Sequence, residues 1–409
     1  MYTLAAFSVA RIPPVRPAPC GLAMHPAVLR RASKDLVNGT LALVHVLVAP
    51  DKFAGTLTAA EAAAAIADGW RRAAPADTVE LMPLADGGPG FLEVISAAVP
   101  GRTRSAMVTG PLGEPVHGRV HAAGETAYIE AADACGLHLV PSELRDPEVT
   151  TSYGVGELVA AADDAEASRL VVGLGGSATN DAGAGLLAAL GALPADALRR
   201  GGGSLSLLER IDVEPARHRV NGVELVIASD VENVLYGPHG ASVTFGPQKG
   251  ASSEQVERLD AALRHFALLA DWRPANQPGA GAAGGIGYAL LLLGGRRVSG
   301  AQLVLDVVGA LDRARRADLV LTGEGSLDWQ SLRGKVVTGV ARVAQEAARP
   351  CVVIAGQVRV GRRELSAMGV DAAYSAADVV GSAEAALASP AASLTATAER
   401  VARTWSRRP

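Results

Sequence analysis

Six short apolar runs, rich in β-branched residues, each break off into a polar cluster of glycine, aspartate and their neighbours. They are 44–50 ending in Asp51-Lys52-Phe53, 79–84 ending in Ala85-Asp86-Gly87-Gly88, and 169–174 ending in Gly175-Gly176-Ser177-Ala178-Thr179-Asn180-Asp181. The other three are 223–228 ending in Ser229-Asp230-Val231-Glu232-Asn233, 318–321 ending in Thr322-Gly323-Glu324-Gly325, and 351–355 ending in Gly356-Gln357. Continuous apolar runs of this length predict strands buried on both faces. Helical patterns alternate with them, most clearly over 59–73, which opens on the capping box Thr58-Ala-Ala-Glu61. This alternation predicts an α/β fold with a largely parallel sheet, and such sheets bind ligands at the carboxyl ends of their strands.

Gly/Pro-rich stretches fall at 100–113, 193–204 and 274–285. The second reads as a surface loop, and the Ala/Ser-rich tail from Ser382 as one more helix. From Met1 to Lys34 there is no acidic residue, and prolines at 13, 14, 17 and 19 break any amphipathic helix. Residues 1–43 are therefore expected to be a disordered N-terminal extension, compatible with an upstream start codon, and the ordered chain to begin near Val44.

Composition narrows the classes. With 409 residues, 49% of them hydrophobic and 20% charged, the chain can bury a large core and form two or three domains. A formal net charge of -4 and the lack of a basic stripe argue against nucleic acid as a partner. The longest apolar run, near Ala289–Leu293, is far too short for a membrane span. Three widely spaced cysteines, Cys20, Cys135 and Cys351, form neither a metal motif nor a disulfide framework. A soluble, cytoplasmic protein is expected, with a homo-oligomer left open.

The densest chemistry is the run 173–185, where a strand opens through glycines into a helix start and can present backbone N–H groups to an anion. Ser177 and Thr179 could add hydroxyl donors, with Asn180 and Asp181 beside the anion; the alternative is a tight turn capped by Asn or Asp. Lysine occurs only at 34, 52, 249 and 335 among 38 basic residues, and the last three fall within the Gly- and Asp-rich motifs. A chain that prefers Arg keeps Lys where a compact, mobile charge can follow a phosphate. Asp51, Asp86, Asp181, Asp230, Glu232, Glu324 and Asp328 supply carboxylates of the kind that hold Mg²⁺ or accept a hydroxyl proton in phosphoryl transfer. The Walker pattern is absent: Gly325 to Gly334-Lys335 has the wrong spacing and is followed by Val336. Gly279-Ala-Gly281-Ala-Ala-Gly284 matches GxGxxG but follows a loop, so the nucleotide-binding context fails. Three readings follow from the residues: a phosphotransferase, an NAD(P)-dependent oxidoreductase of a small hydroxy acid resting on 279–284, or a non-catalytic metabolite-binding protein.

Nine segments in order resemble the bacterial glycerate kinase family. They are 49–57 (APDKFAGTL), 83–88 (PLADGG), 109–113 (TGPLG), 150–154 (TTSYG), 175–181 (GGSATND), 229–233 (SDVEN), 245–251 (FGPQKGA), 278–285 (PGAGAAGG) and 322–325 (TGEG) with Asp328 and Gly334-Lys335. Departures are Pro89 and Phe91, where the family often has Glu and Thr, and Ser326, where a basic residue is common. The first forty residues have no counterpart in the family. The resemblance implies transfer of the ATP γ-phosphoryl group to a hydroxyl of glycerate with Mg²⁺, giving 2-phosphoglycerate or 3-phosphoglycerate. It also implies a Rossmann-like domain from 44–90 plus 290–409, a second domain inserted over 91–289, and an active site in the cleft between them. In that setting Lys52 would neutralise charge on the transferring group or the glycerate carboxylate, and Asp181 or Asp230 would take the acceptor proton. Asp86 and Asp230 would hold Mg²⁺. Asp51, Gly87, Gly88, Gly175, Gly176, Ser177, Thr179, Asn180, Asn233, Lys249, Glu324, Asp328 and Lys335 would line the substrate and phosphate positions.

Overall fold

The computed structural model describes residues 43–406 apart from 54, 164–166, 330 and 332–335. Residues 1–42 of the extension expected over 1–43, and the expected site residue Lys335, lie outside the described residues. The strands in chain order are β1 (His45–Pro50), β2 (Thr78–Leu81), β3 (Arg102–Thr109), β4 (Pro115–Ala123), β5 (Thr126–Glu130), β6 (Arg169–Gly173) and β7 (Glu224–Ala228). They continue with β8 (Arg296–Val298), β9 (Leu319–Gly323), β10 (Ser326–Leu327), β11 (Cys351–Ala355), β12 (Gln357–Val358) and β13 (Ala372–Ser375).

One five-stranded sheet runs β13-β11-β9-β1-β2, all parallel. The three inner strands β1, β9 and β11 are buried on both faces. The edge strands β2 and β13, the first of them expected to be buried on both faces, are only partly covered because each has a neighbour on one side only. The two faces alternate along β1. Val46 and Val48 join Ile66 and Trp70 of helix Ala59–Ala73 and Leu394 and Val401 of helix Pro390–Trp405. Leu47 and Ala49 join Val337, Val340 and Ala341 of helix Val336–Glu346 on the other side. Period-two alternation thus lets one strand feed two apolar layers. The helix at 59–73 starts where the capping box closes, with Glu61 N–H donating to Thr58 Oγ1 at 3.2 Å and Thr58 N–H to Glu61 Oε2 at 2.8 Å.

A six-stranded sheet runs β3-β4-β5-β6-β7-β8. β3, β4 and β5 pair antiparallel, and β5 to β8 pair parallel. Val171, Val226 and Ala228 of this sheet share a buried cluster with Leu47 and Ala49 of the first. The mixed α/β architecture agrees with the expectation.

The stretch 193–204, expected as a surface loop, instead carries a short helix at Ala195–Leu198 and enters a 3-10 turn over Gly202–Leu207, anchored by buried Leu198 and Leu205. Two apolar anchors among polar and glycine residues give too little periodicity to read from sequence. The tail is two helices, Ala383–Ala388 and Pro390–Trp405. Among the described residues, no helix is long and apolar enough to cross a membrane.

Candidate active site

In the five-stranded sheet the chain moves from β1 to β2 on one side and returns at β9 on the other. The crevice between the carboxyl ends of β1 and β9 is therefore the topological switch point, the usual ligand site of an open parallel sheet. Asp51 and Lys52 leave β1 here, and Asp51 N–H donates to the carbonyl of Gly323 at the end of β9 (2.9 Å). Glu324, the next residue, is buried.

The Asp51 carboxylate is buried and accepts Lys52 N–H at 2.7 Å. Burial, reinforced by the neighbouring Asp86 charge, pushes it up to about 7, against the pull of Lys52. Lys52 Nζ lies 2.9 Å from Asp86 Oδ1 and 3.7 Å from Asp51 Oδ1. Burial alone would favour the neutral amine, but Asp86 and Asp51 outweigh it and hold Lys52 firmly charged. Asp86 Oδ1 also accepts Gly88 N–H at 3.1 Å, so one oxygen ties the lysine to the turn that carries it.

That turn, Asp86-Gly87-Gly88, presses against the Gly-rich loop after β6. A Cβ at Gly175 would stand 2.6 Å from Gly88 Cα, so the two backbones meet only because neither carries a side chain. Behind the turn, Glu130 at the end of β5 accepts Gly90 N–H (3.2 Å) and Leu92 N–H (3.0 Å), capping helix Phe91–Ala98. Its burial pushes it up to about 7. Sequence reasoning missed Glu130: the five-residue strand Thr126–Glu130 follows a tight hairpin and does not stand out as an apolar run.

The loop 175–181 turns its polar side chains inward. Asp181 is fully buried, and its carboxylate accepts Ser152 N–H (2.9 Å), Ser152 Oγ–H (2.8 Å), Gly183 N–H (3.1 Å) and Gly185 N–H (3.3 Å). Burial raises its pKa while these donors oppose the shift. Three of these donors converge on Oδ2, and Gly183 N–H alone reaches Oδ1. In this geometry the fully buried carboxylate holds loop and helix start together. Lys249 is likewise buried, donating to Ser177 Oγ (2.9 Å) and the Thr179 carbonyl (2.6 Å), and burial pulls its pKa down to about 8. Thr179 Oγ1 donates to the Ala283 carbonyl (3.4 Å), and Asn180 Nδ2 to Ser242 Oγ (2.8 Å). Asn180 Oδ1 has no hydrogen-bond partner among the described residues. Ser177, Thr179, Asn180, Asp181 and Lys249 thus form a buried cluster, and Gly175 and Gly176 form the surface that meets the Asp86 turn.

Asp230, after β7, accepts Ala301 N–H at 3.1 Å at the start of helix Gly300–Val307. Burial raises its pKa, Ser299 and Ala301 oppose this, and the Asp86 charge adds to it. Two expected residues make bonds within their own segments: Asn233 Nδ2 donates to the His239 carbonyl (2.8 Å) and Thr244 Oγ1 (3.1 Å), and Asp328 N–H donates to Ser331 Oγ (3.1 Å). Both interactions fasten local loops. A cavity of about 390 Å³ opens at Lys52, lined also by Thr56, Thr58, Pro89, Gly90 and Arg119. A second, of about 340 Å³, opens at Asp230. Among the described residues no cluster of three or more His, Cys, Asp or Glu side chains could hold a metal. Asp86 and Asp230, near enough for one charge to act on the other, are the carboxylates that could hold an ion of the kind that takes one or two carboxylates and completes its shell with phosphates and water.

Residues 46–406 match the family described as the glycerate kinase family. A glycerate kinase of Haemophilus influenzae is 43% identical over 369 residues, covering 87% of this chain and 97% of its own. A glycerate 2-kinase of Escherichia coli K12 is 43% identical over 349 residues, covering 82% and 91%. The crystal structure of a Salmonella typhimurium LT2 protein assigned as glycerate kinase 2 is 40% identical, with a TM-score of 0.72, covering 89% of this chain and 98% of that one. The chain belongs to the glycerate kinase family.

Proposed function

We propose that this kinase transfers the γ-phosphoryl group of ATP to a hydroxyl of glycerate, forming ADP and 2-phosphoglycerate. The observation that carries the reading is Lys52, held charged between Asp51 and Asp86 at the switch point and facing a cavity. Phosphoryl transfer needs positioning and charge neutralisation more than covalent help. A lysine whose amine is pinned by carboxylates, at the edge of an open cavity, is preorganised for a phosphate oxygen. The name of the Escherichia coli relative favours the 2-hydroxyl over the 3-hydroxyl.

In this reading the acceptor oxygen attacks the γ-phosphorus, the bond to the β,γ-bridging oxygen breaks, and ADP leaves with that electron pair. The hydroxyl proton passes to Asp230, whose raised pKa makes it a better base than a free carboxylate. Asp86 would hold the Mg²⁺ that accompanies the nucleotide, and the ion would neutralise phosphate charge. Assigning Asp86 to the metal and Asp230 to the proton separates two duties that one carboxylate would perform badly together. Cytoplasmic residence suits the buried thiols of Cys135 and Cys351.

The oxidoreductase alternative loses its main support, because the 279–284 glycines serve packing: a Cβ at Gly284 would fall 1.8 Å from the Thr179 carbonyl oxygen. The test is to mix the purified chain with MgATP and D-glycerate and follow ADP release by a coupled assay, reading the product by phosphorus NMR. Glycerate-dependent ADP with a 2-phosphoglycerate signal is the expected result. A folded protein that releases no ADP would overturn the assignment.

A further inference from the structure

The cavity beside Asp230 is lined also by Arg297, Ser299, Gln302, Thr338 and Arg342. Its two guanidinium groups come from different elements, Arg297 from β8 and Arg342 from helix Val336–Glu346. Arg297 is anchored. Its Nη1 donates to the carbonyl of Ser229, the residue before Asp230, at 3.1 Å. Its stem lies against Gly279, where a Cβ would come within 2.4 Å of Cδ. The remaining terminal nitrogen stands 3.6 Å from Glu232 Oε1, and that glutamate is 78% exposed. An ion pair so open to water is weak and easily exchanged for another carboxylate. Arg342 donates to Gln302 Oε1, and Gln302 Nε2 donates to Asp306 Oδ1 at 2.7 Å, which ties the second guanidinium to helix Gly300–Val307.

Two arginines and a proton-accepting carboxylate in one cavity match a small molecule bearing a carboxylate and a hydroxyl on neighbouring carbons. Guanidinium forks bind carboxylates with two parallel hydrogen bonds, and Asp230 then faces the hydroxyl. Asp86 links the two cavities, since it pairs with Lys52, which lines the first, and its charge acts on Asp230, which lines the second.

We propose that the Asp230 cavity is the acceptor subsite, with Arg297 and Arg342 binding the substrate carboxylate and setting specificity for hydroxy acids over simple polyols. This rests on the reading of the chain as a kinase of a hydroxy acid.

The experiment compares wild type, Arg297→Lys and Arg342→Ala as full-length chains. Steady-state kinetics are run with glycerate and with glycerol as acceptors, and calorimetric titration with glycerate is run without nucleotide. Each variant is expected to raise KM for glycerate roughly 10- to 100-fold, the loss of one or two charge-assisted hydrogen bonds, with KM for ATP unchanged. The preference for glycerate over glycerol should fall by a similar factor, which a merely structural role would not produce. Arg342 is exposed, so its variant reports even if Arg297→Lys folds poorly. Unchanged KM for glycerate and unchanged preference in Arg342→Ala would overturn the subsite. If wild type gives no turnover, the kinase reading fails by itself, and the titration still decides. Glycerate binding that both substitutions weaken supports the subsite; no binding, or binding unaffected by them, overturns it.

Discussion

Lys52 Nζ and Gly88 N–H converge on a single oxygen, Asp86 Oδ1, at 2.9 and 3.1 Å. The lysine charge, the acidic turn and the loop that touches Gly175 are therefore one mechanical unit. Removing either side chain should remove phosphate stabilisation and leave the fold standing, since both side chains remain about a quarter exposed. Lys52→Ala is expected to lower kcat by roughly 10²–10³, as loss of one preorganised charge does. Asp86→Asn should do the same with a raised Mg²⁺ requirement. Coupled assays across a magnesium series, with thermal melts as the control, check both. Wild-type kcat in Lys52→Ala would remove it from the mechanism.

Asp181 is expected to behave differently from an active-site carboxylate. Asparagine can keep its oxygen for the three donors from Ser152 and Gly185 but then sets its NH₂ group against Gly183 N–H, which also donates. Leaving that one buried donor unmet costs about 1–3 kcal/mol. Asp181→Asn should therefore lower unfolding free energy by roughly 1–3 kcal/mol in urea titrations, and activity should fall with the folded fraction. Full stability with lost turnover would return Asp181 to the chemistry.

The strand ends were legible in the sequence because each buried parallel strand is an unbroken apolar run, and whatever follows it must be polar. That logic located Asp51, Lys52, Asp86, Asp230 and Glu324 at strand ends. Inside the loop 175–181 it gave no direction, because a polar side chain turned inward toward Ser152 or Lys249 reads the same as one turned toward a ligand. The segment 150–154 shows the reciprocal: Thr150 Oγ1 donates to the Ala178 carbonyl (3.0 Å) and Ser152 to Asp181, so its polar residues are the inner lining of that loop. Arg297 was invisible for another reason. In a chain where arginine is the default cation, one more arginine carries no contrast.

Glu130 gives a stability signature in the acid-to-neutral range. Its folded pKa, raised by burial from 4.5 to about 7, exceeds its unfolded one. The native state then binds the proton more tightly, and stability falls as pH rises from about 4.5 toward 7. The full span corresponds to about 3 kcal/mol. Glu130→Gln keeps an acceptor for one of the two N–H groups of the helix start but cannot ionise. Its denaturant midpoint should lack this component of the decline between pH 5 and 7.5. A parallel decline in both proteins would assign it to other groups.

Lys249 carries the opposite sign at higher pH. It is buried, and its folded pKa sits at about 8, below the ordinary 10.5. Below pH 8 both states are protonated, and the native state bears the cost of a buried ammonium held by Ser177 Oγ and the Thr179 carbonyl. Between about 8 and 10.5 the unfolded chain holds more protons than the native one, so stability rises with pH through this group, by up to about 1.4 kcal/mol per unit. Lys249→Met leaves the Thr179 carbonyl without this donor, a fixed loss of about 1–3 kcal/mol set against the removed charge. The offset between the two proteins can thus take either sign at pH 7.5, and the slope is the diagnostic quantity. Urea titrations at pH 7.5, 8.5 and 9.5 should show wild type gaining relative to Lys249→Met at each step. Parallel curves would mean that Lys249 keeps its proton throughout, with Asp181 and the loop carbonyls stabilising the ammonium more strongly than burial opposes it.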